Sequence, residues 1–182
     1  GMLPLFHVSG LGQFLAMLQA GGRTLVSARF DPRAAARQIA EHRVTVFSEF
    51  APMLGAILDA AADEGADLSS LRAISGLDTP DTIARFHAAC PQADFWSGYG
   101  QSEVSGMATL ARYRERPGAA GRPALLTEVA VVDESDRPLP PGQSGEIVSY
   151  TALTVGGILE LSEPVDFTTG NHYLAARARD GS

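Results

Sequence analysis

Val44-Thr45-Val46-Phe47, Leu71-Arg72-Ala73-Ile74-Ser75 and Asp94-Phe95-Trp96-Ser97 are three short β-prone runs, and the segments between them carry helical periodicity. After Pro52, the residues Met53, Leu54, Ile57, Leu58 and Ala61 fall on one apolar stripe. Thr79-Pro80 opens a second helix that contains Ile83 and Phe86. Strand, helix, strand, helix, strand is the pattern of βαβ units, which require a parallel sheet. In such open sheets ligands bind beyond the carboxyl ends of the strands. Those ends are expected in loops near residues 76–79 and 98–106, and the chemistry is sought there.

Working outward from that centre, Leu11, Phe14, Leu15 and Leu18 recur at helical spacing behind a candidate N-cap at Ser9, with Gly21-Gly22 as a stop. Thr24 to Ala28 reads as a further strand. Asp31 before Pro32 starts another helix: the Asp oxygen can accept an orphan amide, and proline at the first helical position loses nothing. Ala36, Ile39 and Ala40 face inward on that helix. Downstream, Pro117-Gly118 and Gly121-Arg122-Pro123 are turn-rich, Glu128 to Asp133 alternates as a half-buried strand, and Pro138 to Gly142 precedes a second run from Glu146 to Tyr150. The fold class expected is α/β: a mostly parallel sheet with βαβ layers over residues 1–115, a small antiparallel β unit over 116–150, and a divergent tail over 151–182.

The chain has 182 residues, 45% of them hydrophobic and 19% charged, ordinary values for one globular domain. There is no apolar run near the ~18 residues that a membrane helix needs, nor a secretory leader, so the expectation is a cytoplasmic protein without a membrane span. A net charge of −7 disfavours nucleic acid as a partner, since phosphate binding draws on clustered cations. The single Cys90 implies no disulfide and no structural metal, and is expected at a helix end or in the core. All 14 basic residues are arginine; there is no lysine. A dinucleotide-binding oxidoreductase is disfavoured, because no G-x-G-x-x-G follows a strand and opens a helix.

Gly98 leads into Tyr99-Gly100-Gln101-Ser102-Glu103, which resembles the Y-G-x-T/S-E motif of the adenylate-forming superfamily, the AMP-dependent acyl-CoA synthetases and their relatives. Other segments follow in that family's order. Pro4-Leu5-Phe6-His7 with Gly10, Phe30-Asp31-Pro32, Arg43-Val44-Thr45, and Asp67-Leu68-Ser69-Ser70-Leu71-Arg72 before Ser75-Gly76 precede the motif. Arg116-Pro117-Gly118, Gly121-Arg122-Pro123, Val132-Asp133-Glu134 and Gly145-Glu146-Ile147 follow it. The resemblance covers residues 2 to about 148.

The resemblance implies an ATP-dependent ligase that activates a small carboxylic acid as an acyl-adenylate and passes it to CoA as co-substrate. It implies cofactor-binding roles for Gly76, Leu77, Asp78, Gly98, Tyr99, Gly100, Gln101 and Ser102 toward ATP or AMP, and catalytic roles for Ser102 and Glu103. Glu103 would also hold Mg²⁺, a hard cation that accepts a carboxylate beside substrate phosphates. Tyr99 offers a face for adenine, Gly100 a close backbone approach, and Ser102 a hydroxyl where threonine is commoner. Gly76-Leu77-Asp78 stands where the family has a G-G-A-like turn bordering adenine. His7 matches a histidine near the acyl and thiol entrance. Thr169-Gly170-Asn171 is a degenerate counterpart of a T-G-D motif whose Asp holds ribose, so Asn171 is carried as a candidate. Outside that context Tyr99-Gly100 reads as a strand-end turn, Glu103 as a solvated helix-start carboxylate, and His42, His87 and His172 as packing or surface residues.

The family's Pro-Lys-Gly phosphate loop and its lysine-bearing C-terminal domain have no counterpart in these residues, so the chain is expected to be a truncated relative, incompetent alone. Arginine is a poor substitute for the compact ammonium that follows a moving phosphate. The competing expectation is a non-catalytic scaffold or dimerising module, in which apolar surface left uncovered would find a second copy or a complementary chain.

Overall fold

In a computed structural model, the residues described are 1–104, 106–125, 127–151, 153–154 and 157–158. Helix α1 (Val8–Gln19) opens the chain and α2 (Pro32–His42) follows. Then β1 (Val46–Phe50), α3 (Met53–Glu64), β2 (Ala73–Leu77), α4 (Pro80–Ala89) and β3 (Asp94–Gln101) alternate as the periodicity requires. A 3-10 turn (Ser102–Val104) leads to β4 (Gly106–Arg112) and the short β5 (Arg122–Pro123). A two-stranded sheet, β6 (Thr127–Val132) with β7 (Glu146–Thr151), and a two-stranded ribbon, β8 (Leu153–Thr154) with β9 (Gly157–Ile158), complete the order.

The main sheet has the order β1-β2-β3-β4-β5. β1 to β2 and β2 to β3 pair in parallel, Phe47 opposite Ile74 and Ile74 opposite Phe95, while β4 and β5 pair antiparallel. The α/β class with a mostly parallel sheet and a separate antiparallel β6–β7 pair is thus what the protein adopts. The described residues gather into two compact units: Gly1–Gly98 with Ala111–Gly121, and Tyr99–Leu110 with Arg122 onward.

Local chemistry starts the helices. Asp31 Oδ1 accepts from the Ala34 amide at 2.7 Å and Pro32 takes the first turn of α2, while Thr79 Oγ1 accepts from Thr82 N at 3.2 Å above Pro80 in α4. The cap of α1 is a correction: it is His7, whose Nδ1 accepts from the Ser9 amide at 3.2 Å, so Ser9 lies inside the helix. Gly10 faces the Pro4 and Leu3 carbonyls so closely that a Cβ would collide with both.

The core of the first unit collects the inward faces of α2, α3 and α4 on the sheet: Ala36, Ile39, Leu54, Ile57, Ile74, Ile83, Phe86 and Phe95 are all buried. Phe95 stands edge-on to Phe86 at 6.4 Å and to Tyr113 at 6.3 Å. Cys90 is buried at the C-cap of α4, His87 packs on Phe86, and His42 is exposed.

Three strand expectations change. Thr24 to Ala28 forms no strand; its backbone bonds are with Gly1, which donates to the Leu25 carbonyl and accepts from Ser27 N, and a two-bond contact is not a ladder. β1 and β2 each begin two residues later than β-propensity suggests, because Thr45 O accepts from both Arg72 N and Ala73 N before regular pairing starts at Val46 opposite Ala73. β3 runs on through Gln101 and β2 through Leu77, so Gly98, Tyr99, Gly100 and Gln101, like Gly76 and Leu77, lie on strands and not in loops; β4 starts at Gly106, the last residue of the expected loop.

Candidate functional site

The carboxyl edge of the parallel strands is the starting point. In the first unit, β2 ends in Gly76-Leu77, and Asp78 follows in the turn before α4. Gly76 is buried, Leu77 exposed and Asp78 half-buried. Gly98, also buried, lies farther along β3, which runs parallel to β2. Parallel pairing therefore directs the Gly76–Asp78 turn and Gly98 toward one edge of the first unit.

The same edge holds a residue the sequence did not point to. Glu49 sits opposite Gly76 in the β1–β2 ladder and is completely buried, yet neither carboxylate oxygen has a hydrogen-bond partner. A Cβ at Gly76 would collide with the Glu49 carbonyl and carboxylate, so glycine is what lets that side chain lie across the strand. The Leu54 amide and the Asp78 carboxyl are near without closing a well-formed bond. Burial, and after it the negative charge of Asp78, pushes the Glu49 pKa up to about 8, opposed by the Leu54 amide. Asp78 Oδ1 accepts from Thr79 N at 2.7 Å, whereas its Oδ2 is buried without a partner. In sequence, Glu49 falls inside an apolar run; only its being charged there could have drawn attention.

In the second unit, Tyr99 is half-buried at the end of β3, and its amide donates to Thr109 Oγ1 at 3.0 Å. Burial first, then the negative charges of Glu103 and Glu146, push the Tyr99 pKa up. Both carboxylates thus act on the tyrosine hydroxyl from within this unit. At Gly100, the backbone that comes close belongs to Gly106 and Met107, where a Cβ would strike the Gly106 carbonyl. Gln101 ends the strand half-buried, Ser102 is exposed and Glu103 is half-buried in the 3-10 turn. The structure brings Tyr99 and Glu103 together, adds Glu146 to them, and leaves the Ser102 hydroxyl open to solvent.

His7 is exposed, engaged with the Ser9 hydroxyl at 2.8 Å as well as with the Ser9 amide. It is a helix cap. Asn171 lies outside the described residues. Among the described residues, no group of three or more His, Cys, Asp or Glu comes together to hold a metal, and no helix is long and apolar enough to cross a membrane. Glu103 offers a hard carboxylate oxygen, the donor type that Mg²⁺ accepts beside phosphate and water oxygens.

The family model described as AMP-binding enzyme matches residues 1–159. A feruloyl-CoA synthase of an Amycolatopsis species is 36% identical over 151 residues, which are 80% of this chain and 30% of that protein. A crystal structure of a Rhodopseudomonas palustris protein assigned as a long-chain-fatty-acid CoA ligase superimposes with a TM-score of 0.78 at 61% identity, over 83% of this chain and 38% of the other. The fold alone is shared with Bacillus subtilis O-succinylbenzoate coenzyme A synthetase in complex with ATP and magnesium ion: the TM-score is 0.72 at 22% identity, over 83% of this chain and 32% of that one. The chain spans about a third of the length of these relatives.

Proposed function

Because the chain belongs to the AMP-binding enzyme family, we propose that it supplies one side of the adenylate site of an AMP-forming acid–CoA ligase, with ATP, Mg²⁺ and CoA as the small molecules it serves. The carrying observation is the clustering of Tyr99, Glu103 and Glu146 at the carboxyl end of a central strand, beside an exposed Ser102 hydroxyl. That edge is where open α/β sheets hold their ligands.

In the reaction, a carboxylate oxygen bonds to the α-phosphorus of ATP and pyrophosphate leaves; the CoA thiol then bonds to the acyl carbon and AMP leaves. This chain's residues bind and orient in both steps. Tyr99 presents a ring face to the base, and Ser102 Oγ donates to a phosphate oxygen. Glu103 would hold Mg²⁺, which when bound neutralises phosphate charge. The chain has no lysine, so the mobile ammonium that stabilises the developing charge would come from polypeptide outside these residues. That term is usually the largest in such catalysis, and the residues here are proposed to bind nucleotide without accelerating the chemistry.

Calorimetry with a non-hydrolysable acyl-adenylate analogue and with Mg-ATP tests this reading. Binding that weakens for Mg-ATP in Glu103→Gln, and changes little for the metal-free analogue, supports it. An intact fold that binds neither ligand at millimolar concentration overturns it.

A second reading has its own observation. Leu11, Leu15 and Leu18 on α1 stay exposed at 43, 53 and 53%, an apolar stripe suited to a docking module, either with a second copy or with a complementary chain. Light scattering that gives a monomer at high concentration argues against the second copy.

A further inference from the structure

Two carboxyl groups, those of Glu49 and Asp78, lie beside the Gly76–Asp78 turn, which hydrogen bonds tie on either side. On one side Ala51 N donates to the Leu77 carbonyl at 2.9 Å, tying the turn to the end of β1. On the other, Asp78 Oδ1 holds Thr79 N and Thr79 caps α4. Between these ties lie the unpartnered Glu49 Oε1 and Oε2 and the unpartnered Asp78 Oδ2, all buried. Three buried acceptors without a donor is an expensive arrangement, since each lost hydrogen bond to water goes unreplaced. One proton reduces the deficit from three oxygens to one, because a protonated carboxyl donates to its neighbour.

We propose that Glu49 is the positioning residue of this turn: its buried carboxyl shares one proton with Asp78, and the shared proton fixes the backbone at Gly76, Leu77 and Asp78. This rests on the reading of that turn as bordering the nucleotide. Gly76 is part of the device, since any side chain there would expel the Glu49 carboxyl.

Among the described residues, the one charge that acts on Glu49 is that of Asp78, and it is negative. From the β2–α4 turn Glu49 faces Asp78, and from α3 it faces the Leu54 amide. The acidic groups of α3 are engaged on its exposed side, Asp59 with Arg85 of α4, Asp63 with Arg33 and Glu64 with Arg33 and Arg37. On β1 and β2 the neighbouring Ser48 and Ser75 hydroxyls bond each other at 2.7 Å. Loss of the proton leaves two like charges in a poorly solvated place, and the side that can yield is the turn, because Glu49 is held inside the sheet. Burial supports the assignment by holding the Glu49 pKa near 8.

The test compares wild type with Glu49→Gln and Asp78→Asn, either of which removes one charge and keeps a donor. Three quantities are read across about pH 6 to about pH 9.5: the Glu49 carboxyl carbon shift by NMR, the amide-exchange protection of residues 77–79, and the affinity for the acyl-adenylate analogue. In the wild type the carbon should titrate near 8, protection should fall above that point, and affinity should weaken by roughly tenfold, about what one unit of pKa linkage supplies. In both variants protection and affinity should stay flat. A Glu49 carbon that titrates with ordinary carboxylates overturns the proposal, as does a variant whose protection follows the wild-type curve. If no variant binds the analogue at any pH, the nucleotide reading falls, and exchange protection alone then upholds or overturns the positioning role. Should one variant fail to fold, the other carries the comparison.

Discussion

The two units of the molecule spend their residues differently. In the first, the largest fully buried side chains include Leu54, Ile57, Leu71, Ile74, Ile83, Phe86 and Phe95, beside the smaller Ala36, Cys90 and Ala93. In the second, the buried residues are small or polar, among them Val104, Ala108, Thr109, Val132, Val148 and Ser149, while Ser102 stays exposed and Tyr99 and Glu103 half-exposed. The first unit is built around packed apolar side chains, and among the described residues of the second Tyr99 and Glu103 stay partly open to solvent.

The sharpest way to break that comparison is to empty each interior in turn. Phe86→Ala should cost about 3–5 kcal/mol by urea denaturation, through lost transfer free energy and the cavity left among Phe95, His87 and their neighbours. Val148→Ala in the second unit should cost only about 1–2 kcal/mol, at roughly 0.8 kcal/mol per methylene-sized group. Equal costs would mean that the second unit depends on its core as much as the first.

Glu49 is the exception inside the well-packed unit, and its effect is a pH profile. Its folded pKa lies above the ordinary carboxylate value of 4.5, so the folded state binds the extra proton and stability falls as pH rises from there to about 8. Glu49→Gln should remove that slope, leaving the variant relatively more stable near pH 8 than near pH 4. Thermal melts across this range check it; an unchanged slope would assign the pH dependence to other groups.

Smaller effects test how much of the first unit is set locally. Asp31→Ala removes the α2 cap and should cost about 1 kcal/mol. Glu64→Gln breaks the ion pairs to Arg33 and Arg37, whose side chains are more than half exposed, and should cost no more than about 0.5–1 kcal/mol, less still in high salt. Both follow from denaturation midpoints.

Local features were legible because the sequence contains all that they need. Asp31-Pro32 and Thr79-Pro80 carry their own cap chemistry, and the stripe from Leu54 to Ala61 can lie only one way on a helix. What went astray needed a remote partner. Thr24 to Ala28 is rich enough in β-formers to be a strand but lacks a ladder neighbour, and β3 continues through Tyr99-Gly100 because β4 comes back close enough to meet Gly100. His7 caps a helix, a role that imidazole chemistry permits and spacing does not announce.

By itself, then, the sequence determined the α/β class, the caps of α2 and α4 and the presence of a Tyr99–Glu103 motif, since periodicity, propensity and short motifs are properties of neighbouring residues. The tertiary structure decided that Glu146 joins Tyr99 and Glu103, that Gly100 serves a strand crossing, and that Glu49 and Asp78 face each other without a donor. Burial and charge proximity depend on segments dozens of residues apart being folded together, and the free energy of a carboxyl group is set by that enclosure and not by its place in the chain.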